Sequence, residues 1–221
     1  MEVIMSMKYV ATIIVVTSLL TGCANDRVKP EQYSGFLKDY SSLKPAVSTT
    51  GVPVMRWIDS NAHLENYSKI IYEPVVYYPE PRSSTQVGEA VLQGILDYTN
   101  QSMKTAAAKR FMLVDKPGLG TLIFRGAITA VDTSNMGLQF YEVIPIAMVL
   151  AGTQVISGYR TQETRLYFEG ELIDSQSGNA VAKVLRKGQG KDLPNSNQLL
   201  TVDDLKAVID KMASDAAVFN L

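Results

Sequence analysis

The chain has 221 residues, with 21 Lys plus Arg against 22 Asp plus Glu and a formal net charge of −1. That length accommodates one domain with a real hydrophobic core. The balanced charge excludes a general nucleic-acid binder, which would carry a concentrated basic excess.

The chain begins with a signal-peptide pattern. An uncharged apolar run over residues 9–20 follows Lys8 and leads into Leu20-Thr21-Gly22-Cys23, a lipobox that ends in the single cysteine. The run is shorter than the about 20 apolar residues that span a bilayer. A positive flank and a small residue before the cleavage point are typical of a secretory signal. We expect translation to start at Met7, because Glu2 lies in a region that is normally positive.

The lipobox resembles that of bacterial lipoproteins, and the resemblance implies a processing route. In those proteins a diacylglyceryl group is attached to the cysteine thiol, the preceding peptide bond is cleaved and the new amino terminus is acylated. Residues 1–22 are therefore expected to be removed, leaving Cys23 to hold the chain in a lipid bilayer. In Gram-negative members an Asp directly after the cysteine retains the protein in the inner membrane. Ala24 stands there instead, which implies the periplasmic face of the outer membrane.

The start of the mature chain has two parts. Residues 24–32 are polar and aperiodic, which predicts a short tether. The next run predicts a turn or two of helix that clips the N-terminus onto the domain, because apolar residues recur there at helical spacing before Pro45: Phe36, Leu37, Tyr40 and Leu43. Residues 23–45 are thus expected to be anchor, tether and clip, and residues 46–221 one domain.

Strand and helix patterns follow in order. Residues 53–59 and 69–78 are rich in β-branched and aromatic residues, which predicts strands, the second interrupted by Pro74. Residues 86–109 carry an apolar stripe of period 3.6 and predict a helix, capped by Ser84 or Thr85.

The second half of the chain is mostly strand-like until its last helix. Strands are predicted over residues 111–114, 121–131, 163–173 and 180–186, with a hairpin loop at 174–179, and a helix over 201–219. In the strand at 163–173 the alternation places Leu166, Phe168 and Leu172 in the core and, on the solvent side, Arg165, Tyr167, Glu169 and Glu171. These elements predict an α+β fold, a curved and mostly antiparallel sheet with two main helices on one face.

Residues 143–156 form the most apolar stretch of the mature chain. With 14 residues and Pro145 inside, the stretch is too short to span a membrane. Two interpretations stay open: a buried core element, or an exposed apolar patch that meets a lipid, a greasy ligand or a partner protein.

Few residues point to catalysis. A nucleophile–base–acid triad would have to pass through His63, the single histidine, which lies in a loop-like stretch. One histidine does not form the usual zinc or iron site, so we predict no metal, no cofactor and no catalytic set. Glu169 and Glu171 leave open a carboxylate-dependent hydrolase, although two charges on a solvent-facing strand are the commoner situation.

The densest basic cluster is a candidate binding surface. It comprises Lys183, Arg186, Lys187 and Lys191. Such a cluster would meet lipid headgroups, polyanionic sugar or peptidoglycan carboxylates. The alternative is a solvated loop.

Three features together resemble a known family. They are the lipobox, the segment Ser34-Gly35-Phe36-Leu37 to Asp39-Tyr40-Ser41, and the Asp174-Ser175-x-x-Gly178 hairpin. The chain resembles a family of Gram-negative lipoproteins that is catalogued only as a domain of unknown function, and the family supplies no activity or catalytic residues. We therefore expect an outer-membrane-anchored periplasmic lipoprotein with a non-enzymatic binding or envelope-accessory role. Its partners would be the bilayer and an envelope protein or lipid ligand, and not nucleic acid.

Overall fold

The computed structural model describes residues 27–81, 83–84, 86–135 and 161–219. The described residues contain one sheet of eight strands. The strands are β1 (Lys44–Val47), β2 (Pro53–Ile58), β3 (Lys69–Tyr72), β4 (Val76–Tyr77), β5 (Met112–Leu113), β6 (Thr121–Asn135), β7 (Gln162–Asp174) and β8 (Ala180–Gln189).

The sheet is mixed, open and mostly antiparallel. Its order is β1-β2-β8-β7-β6-β3-β5, and β4 also pairs with β6. The pairs from β1 to β6 are antiparallel, whereas β3 runs parallel to both β5 and β6 and β4 runs parallel to β6. With two α-helices packed on it, this arrangement confirms the predicted α+β fold class.

Two helices cover one face of the sheet. They are α1 (Glu89–Ala108) and α2 (Val202–Ala217), which confirms the helices predicted over 86–109 and 201–219. The Asp204 carboxylate accepts hydrogen bonds from the N–H and the hydroxyl of Thr201, so α2 begins with a cap. The Tyr98 hydroxyl donates to Asp210 Oδ1 at 2.8 Å, and a Cβ on Gly94 would lie 2.7 Å from Val202 Cγ2. These contacts advance in the same direction along both helices, which therefore run parallel to each other.

The predicted interruption at Pro74 separates β3 from β4. The side chain of Asn100 in α1 holds the gap between them: its Oδ1 accepts from Val75 N–H at 2.7 Å and its Nδ2 donates to Val75 O at 3.0 Å. The amide thus replaces the ladder bonds that the break removes.

Residues 33–43 are not helical, so the helix predicted for this segment is wrong, although the segment does pack on the domain. The chain makes a 3₁₀ turn at Pro30–Gln32 and then an irregular path up to β1. We call residues 28–43 the N-terminal segment. It is packed on the domain, since Val28, Leu37 and Leu43 are buried in the hydrophobic core.

The N-terminal segment lies on the sheet face opposite the helices. Its hydrogen bonds go to Tyr167 and Glu169 of β7, which alternate along the strand with the core residues Leu166 and Phe168. Because successive side chains of a strand point to opposite faces, the sheet separates this segment from α1 and α2.

Candidate functional site: an apolar cavity beside a buried ion pair

A partly enclosed cavity of about 230 Å³ lies between the sheet and the C-terminal ends of the two helices. Its walls are mostly apolar, with side chains from every layer on that side of the sheet: Phe124, Phe168, Val184, Met103, Ala107 and Met212 among them. Protein interiors contain few voids larger than a water molecule. A void of this size and lining is therefore a feature that needs an explanation.

A pair of glycines positions one wall of the cavity. Gly126 of β6 lies opposite Gly170 of β7. A Cβ on Gly126 would come within 2.7 Å of the Phe168 ring, and one on Gly170 within 2.8 Å of the same ring. The missing side chains leave the space in which the Phe168 ring lies.

A buried ion pair lies beside the cavity. Arg186 of β8 is 4% exposed, and its Nη1 lies 2.6 Å from Asp215 Oδ2 near the end of α2. Asp215 also accepts from Thr49 Oγ1 at 2.6 Å, from Thr50 N–H at 2.7 Å and from Thr50 Oγ1 at 2.8 Å. The pair thus joins β8 and the β1–β2 loop to the C-terminal turn of α2.

The pKa values of the pair reflect this setting. Burial alone would raise the pKa of Asp215, but hydrogen bonds from Thr49, Thr50 and Arg186 more than offset it, and the pKa is lowered from 3.8. Burial lowers the pKa of Arg186, whereas Asp215 acts in the opposite direction. An arginine stays protonated at any physiological pH, so both members of the pair are charged.

The four cations predicted as one binding surface lie apart. Arg186 is on the helix-covered face, where its cross-strand partner is Phe168, but Lys183 and Lys187 have Glu171 and Tyr167 as partners and lie on the opposite face. Lys183 Nζ donates to the carbonyl of Asp39 in the N-terminal segment at 2.9 Å. Lys191 is exposed, beyond the end of β8. Strand alternation therefore divides the three cations of β8 between the two faces of the sheet. Of the four, Arg186 alone has its side chain on the helix-covered face, where it lines the cavity.

The predicted solvent exposure of Glu169 and Glu171 is wrong. They are 1% and 8% exposed respectively, because the N-terminal segment covers their face of the sheet. Glu171 pairs with Arg125 at 3.0 Å. The guanidinium of Arg125 also lies 5.4 Å from the ring centre of Phe36. As neighbours on one side of one strand, the two carboxylates do not face each other across a cleft as a glycosidase pair would.

Glu169 is surrounded by donors from the N-terminal segment. Its Oε1 accepts from Ser34 N–H at 2.9 Å, and its Oε2 accepts from the Tyr40 hydroxyl at 2.7 Å and from Leu37 N–H at 3.4 Å. The Tyr40 hydroxyl in turn accepts from Gly35 N–H at 2.8 Å. Burial and the bond to Glu169 raise the pKa of Tyr40 to about 12, so the phenol keeps its proton and donates. We call this arrangement the Glu169 clasp.

The remaining predicted features lie away from the cavity or outside the described residues. Cys23, the lipobox residues Leu20, Thr21 and Gly22, and the apolar stretch 143–156 lie outside the described residues. His63 is in an exposed loop next to Glu65, with its Nδ1 3.3 Å from the Glu65 carboxylate. Within the described ranges no group of three or more potential ligands could hold a metal ion. No helix in that part of the chain is long and apolar enough to cross a membrane.

Sequence reasoning did not find the role of Asp215. The predicted helix 201–219 includes it, but nothing local shows that a carboxylate in the last turns meets an arginine of β8. The one available indication was Arg186 itself. In the predicted strand it alternates with Leu185 and Lys187, so this cation shares its side of the strand with apolar residues.

The described residues form an α+β domain, and comparison with known proteins identifies its family. Residues 32–216 match the family described as "Protein of unknown function (DUF3313)". The chain is 54% identical over 202 residues to "Uncharacterized lipoprotein YdcL" of Escherichia coli strain K12, covering 91% of each chain. An O157:H7 protein of the same name matches equally. The chain belongs to the DUF3313 family and is a lipoprotein.

Solved structures show weaker likenesses. A PelC dodecamer from Paraburkholderia phytofirmans has a TM-score of 0.37 and 8% identity, over 76% of this chain and 98% of that one. A PDZ domain protein from Parabacteroides distasonis has a TM-score of 0.38 and 10% identity, over 82% of this chain and 39% of that one. Both scores are too low to carry an argument about fold or function.

Proposed function

We propose that this chain is a non-enzymatic lipoprotein of the outer membrane, on its periplasmic face, whose domain binds a small apolar ligand in the cavity beside Arg186. In this role the protein holds or presents the ligand to another envelope component. Cys23 supplies the anchor. Ala24, in the position where Asp would retain a lipoprotein in the inner membrane, supports the outer-membrane location.

The cavity is the observation that carries this proposal. An apolar cavity of roughly 150 Å³ already accepts a benzene-sized molecule, and this one measures about 230 Å³. Ligand sites are concave and largely apolar, with a few polar groups that fix orientation. The Arg186–Asp215 pair, held by the β1–β2 loop, is such a group.

The state of the buried carboxylates supports binding over acid–base chemistry. A general acid or base must reach the proton that it transfers. The oxygens of Asp215 already accept from Thr49, Thr50 and Arg186, and those of Glu169 from the N-terminal segment. These groups are occupied with holding the fold together.

Filling the cavity tests the proposal. Ala107 lines the cavity, and the neighbouring Ala108 is exposed on the same helix. We expect saturable binding of the uncharged fluorescent probe N-phenyl-1-naphthylamine by the wild-type protein. The probe's affinity should fall at least tenfold in Ala107→Phe, because the ring occupies the space, and stay unchanged in Ala108→Phe. A wild-type protein that shows no saturable binding, or equal binding by both variants, would contradict the proposal.

A further inference from the structure

We infer that the ligand of this cavity is a single-chain amphiphile with an anionic head group, a carboxylate or a phosphate, whose head is bound by Arg186 with Arg56 and Arg110 at the rim. The inference rests on the proposed function and specifies the ligand of the same site. It is carried by hydrogen-bond capacity, by charge and by the shape of the lining.

Arg186 has donor capacity that the described residues do not use. Its Nη1 donates to Asp215, but its Nε is buried without a hydrogen-bond partner among them. A buried donor without an acceptor is costly, and a charged one more so. Because Arg186 lines the cavity, an acceptor oxygen on a bound ligand would interact with its guanidinium group, and a shift of the side chain would bring the buried Nε to the same oxygen.

Asp215, in contrast, has no free lone pair to accept a hydrogen bond from a ligand. Its Oδ1 accepts from Thr49 Oγ1 and Thr50 N–H, and its Oδ2 accepts from Thr50 Oγ1 and Arg186 Nη1. These bonds fill the roughly four lone-pair sites of a carboxylate. The ion pair therefore offers donors and no further acceptor, which selects an oxygen-rich head group over an amine.

The charges on the cavity side of the sheet are mostly positive. Arg56 has Val184 as its β8 partner, and Val184 lies opposite Gly170, so Arg56 shares the helix-covered face with Arg186. Arg110 follows α1, with its guanidinium 5.6 Å from the ring centre of Phe111, and also lines the cavity.

The other charged lining residues do not cancel this excess. Glu171 and Lys183 are cross-strand partners whose side chains lie on the opposite face, bound to Arg125 and Asp39. Among the described lining residues, the guanidinium groups of Arg56, Arg110 and Arg186 therefore share the cavity side with one carboxylate, that of Asp215. In a poorly hydrated site that imbalance favours an anion.

The remaining walls suit one flexible hydrocarbon chain. Met103 and Met212 face the cavity from the two helices, and methionine side chains adapt their shape to what they contact. A volume of about 230 Å³ favours one chain over the two of a diacyl lipid.

Three ligands with the same chain separate the contributions: decanoate, decyl phosphate and decanol. Calorimetric titration would use the mature chain from position 23 with Cys23→Ser, which keeps every described residue. We expect at least one anion to bind tenfold or more tightly than decanol. Tighter binding of decanoate identifies a fatty-acid type of ligand, and tighter binding of decyl phosphate a lysophospholipid type.

Head-group variants complete the test. Arg186→Lys keeps the charge opposite Asp215 but removes the guanidinium donors, so the preference for anions over decanol should fall about tenfold. Arg56→Gln and Arg110→Gln should lower it several-fold with an unchanged unfolding midpoint, and they carry the test if Arg186→Lys does not fold. Lys44→Gln, an exposed change beside Arg56 on β1, is the matched control.

The outcomes separate the two proposals. If decanol and the anions bind equally, and Ala107→Phe weakens all of them, the head-group inference is wrong while the proposed function stands. If none of the three ligands binds while N-phenyl-1-naphthylamine still does, the inference about the ligand is wrong and the proposed function stands. If the probe does not bind either, the proposed function itself fails.

Discussion

Glu169 is a buried carboxylate that no described lysine or arginine pairs with. Its two oxygens instead accept hydrogen bonds from two backbone N–H groups and a phenol, so the polar atoms of this buried side chain have partners. Gly35, at φ +88, provides the tight bend that directs these groups to one point.

Removing the Glu169 carboxylate should destabilise the protein. In Glu169→Ala three buried or half-buried donors lose their acceptor, so we expect the free energy of unfolding to fall by about 2–4 kcal/mol. Tyr40→Phe removes the bond to Glu169 and the acceptor of the exposed Gly35 N–H, and should cost about 1 kcal/mol. Urea unfolding measures both changes. Glu31→Ala, on an exposed residue of the 3₁₀ turn, is the control, and a Glu169→Ala loss no larger than that of the control would contradict the role of the clasp.

The exposure of Glu169 could not be predicted locally. The alternation of β7 correctly places it opposite Phe168, and a polar residue on that face is ordinarily solvated. What buries it is a segment more than 120 residues earlier in the chain. The same limit applies to Asp215, whose partners come from β8 and the β1–β2 loop.

At the scale of elements, the β7–β8 hairpin depends on side chains that hold its loop. Asp174 Oδ1 accepts from the N–H groups of Gln176 and Ser177, and these bonds lower the pKa of Asp174. Ser175 exchanges hydrogen bonds with the backbone of Gly118. Gly178 closes the loop at φ +70. The Asp-Ser-x-x-Gly motif thus combines a turn, a contact with a neighbouring loop and a left-handed residue.

Gly178→Ala should destabilise the hairpin by about 1 kcal/mol, because the left-handed backbone disfavours a Cβ even though the space around it is open. Gly118→Ala is the matched control, since Gly118 is also a loop glycine but its φ lies outside the left-handed region. Thermal unfolding compares the two variants. An equal effect of both substitutions would show that the φ of Gly178 is not the cause.

Regular elements were predictable where a single periodicity acted on them. The stripe of α1 reflects one buried face, and the alternation of β6 and β7 reflects which side chains face the helices. Residues 33–43 show helical spacing for another reason. Tyr40 stacks on Tyr33 with ring centres 4.4 Å apart, Leu37 is buried, and the backbone N–H groups bind Glu169 instead of helix carbonyls. The helical spacing of the apolar residues in 33–43 therefore comes from tertiary contacts and not from a helix.

At the scale of the whole molecule, the N-terminal segment and the cavity lie on different sides of the sheet. The described chain starts at Arg27, four residues after Cys23. Four extended residues reach at most about 14 Å, so an anchor at Cys23, as proposed above, would hold the N-terminal segment close to the lipid. The cavity, built from residues of both helices and several strands, could not be predicted because no single stretch of sequence contains it.

The identity of residue 24 should decide the membrane. We expect the wild-type chain in the outer-membrane fraction of a density gradient and Ala24→Asp in the inner-membrane fraction. Cys23→Ser should lose the anchor and no longer sediment with membranes. Ala24→Ser is the control for substitution at this position and should behave like the wild-type chain. An Ala24→Asp protein that stays with the outer membrane would contradict the sorting role of this residue.

The position of the Glu169 clasp has a mechanical consequence. The N-terminal segment bonds to β7 through both Gln32 and Ser34, and β7 has strand partners on either side, β6 and β8. A pull on the domain against its lipid anchor is therefore transmitted to an interior strand, where two ladders of hydrogen bonds share the load. An attachment at β1 would place the same force on an edge strand held by one neighbour.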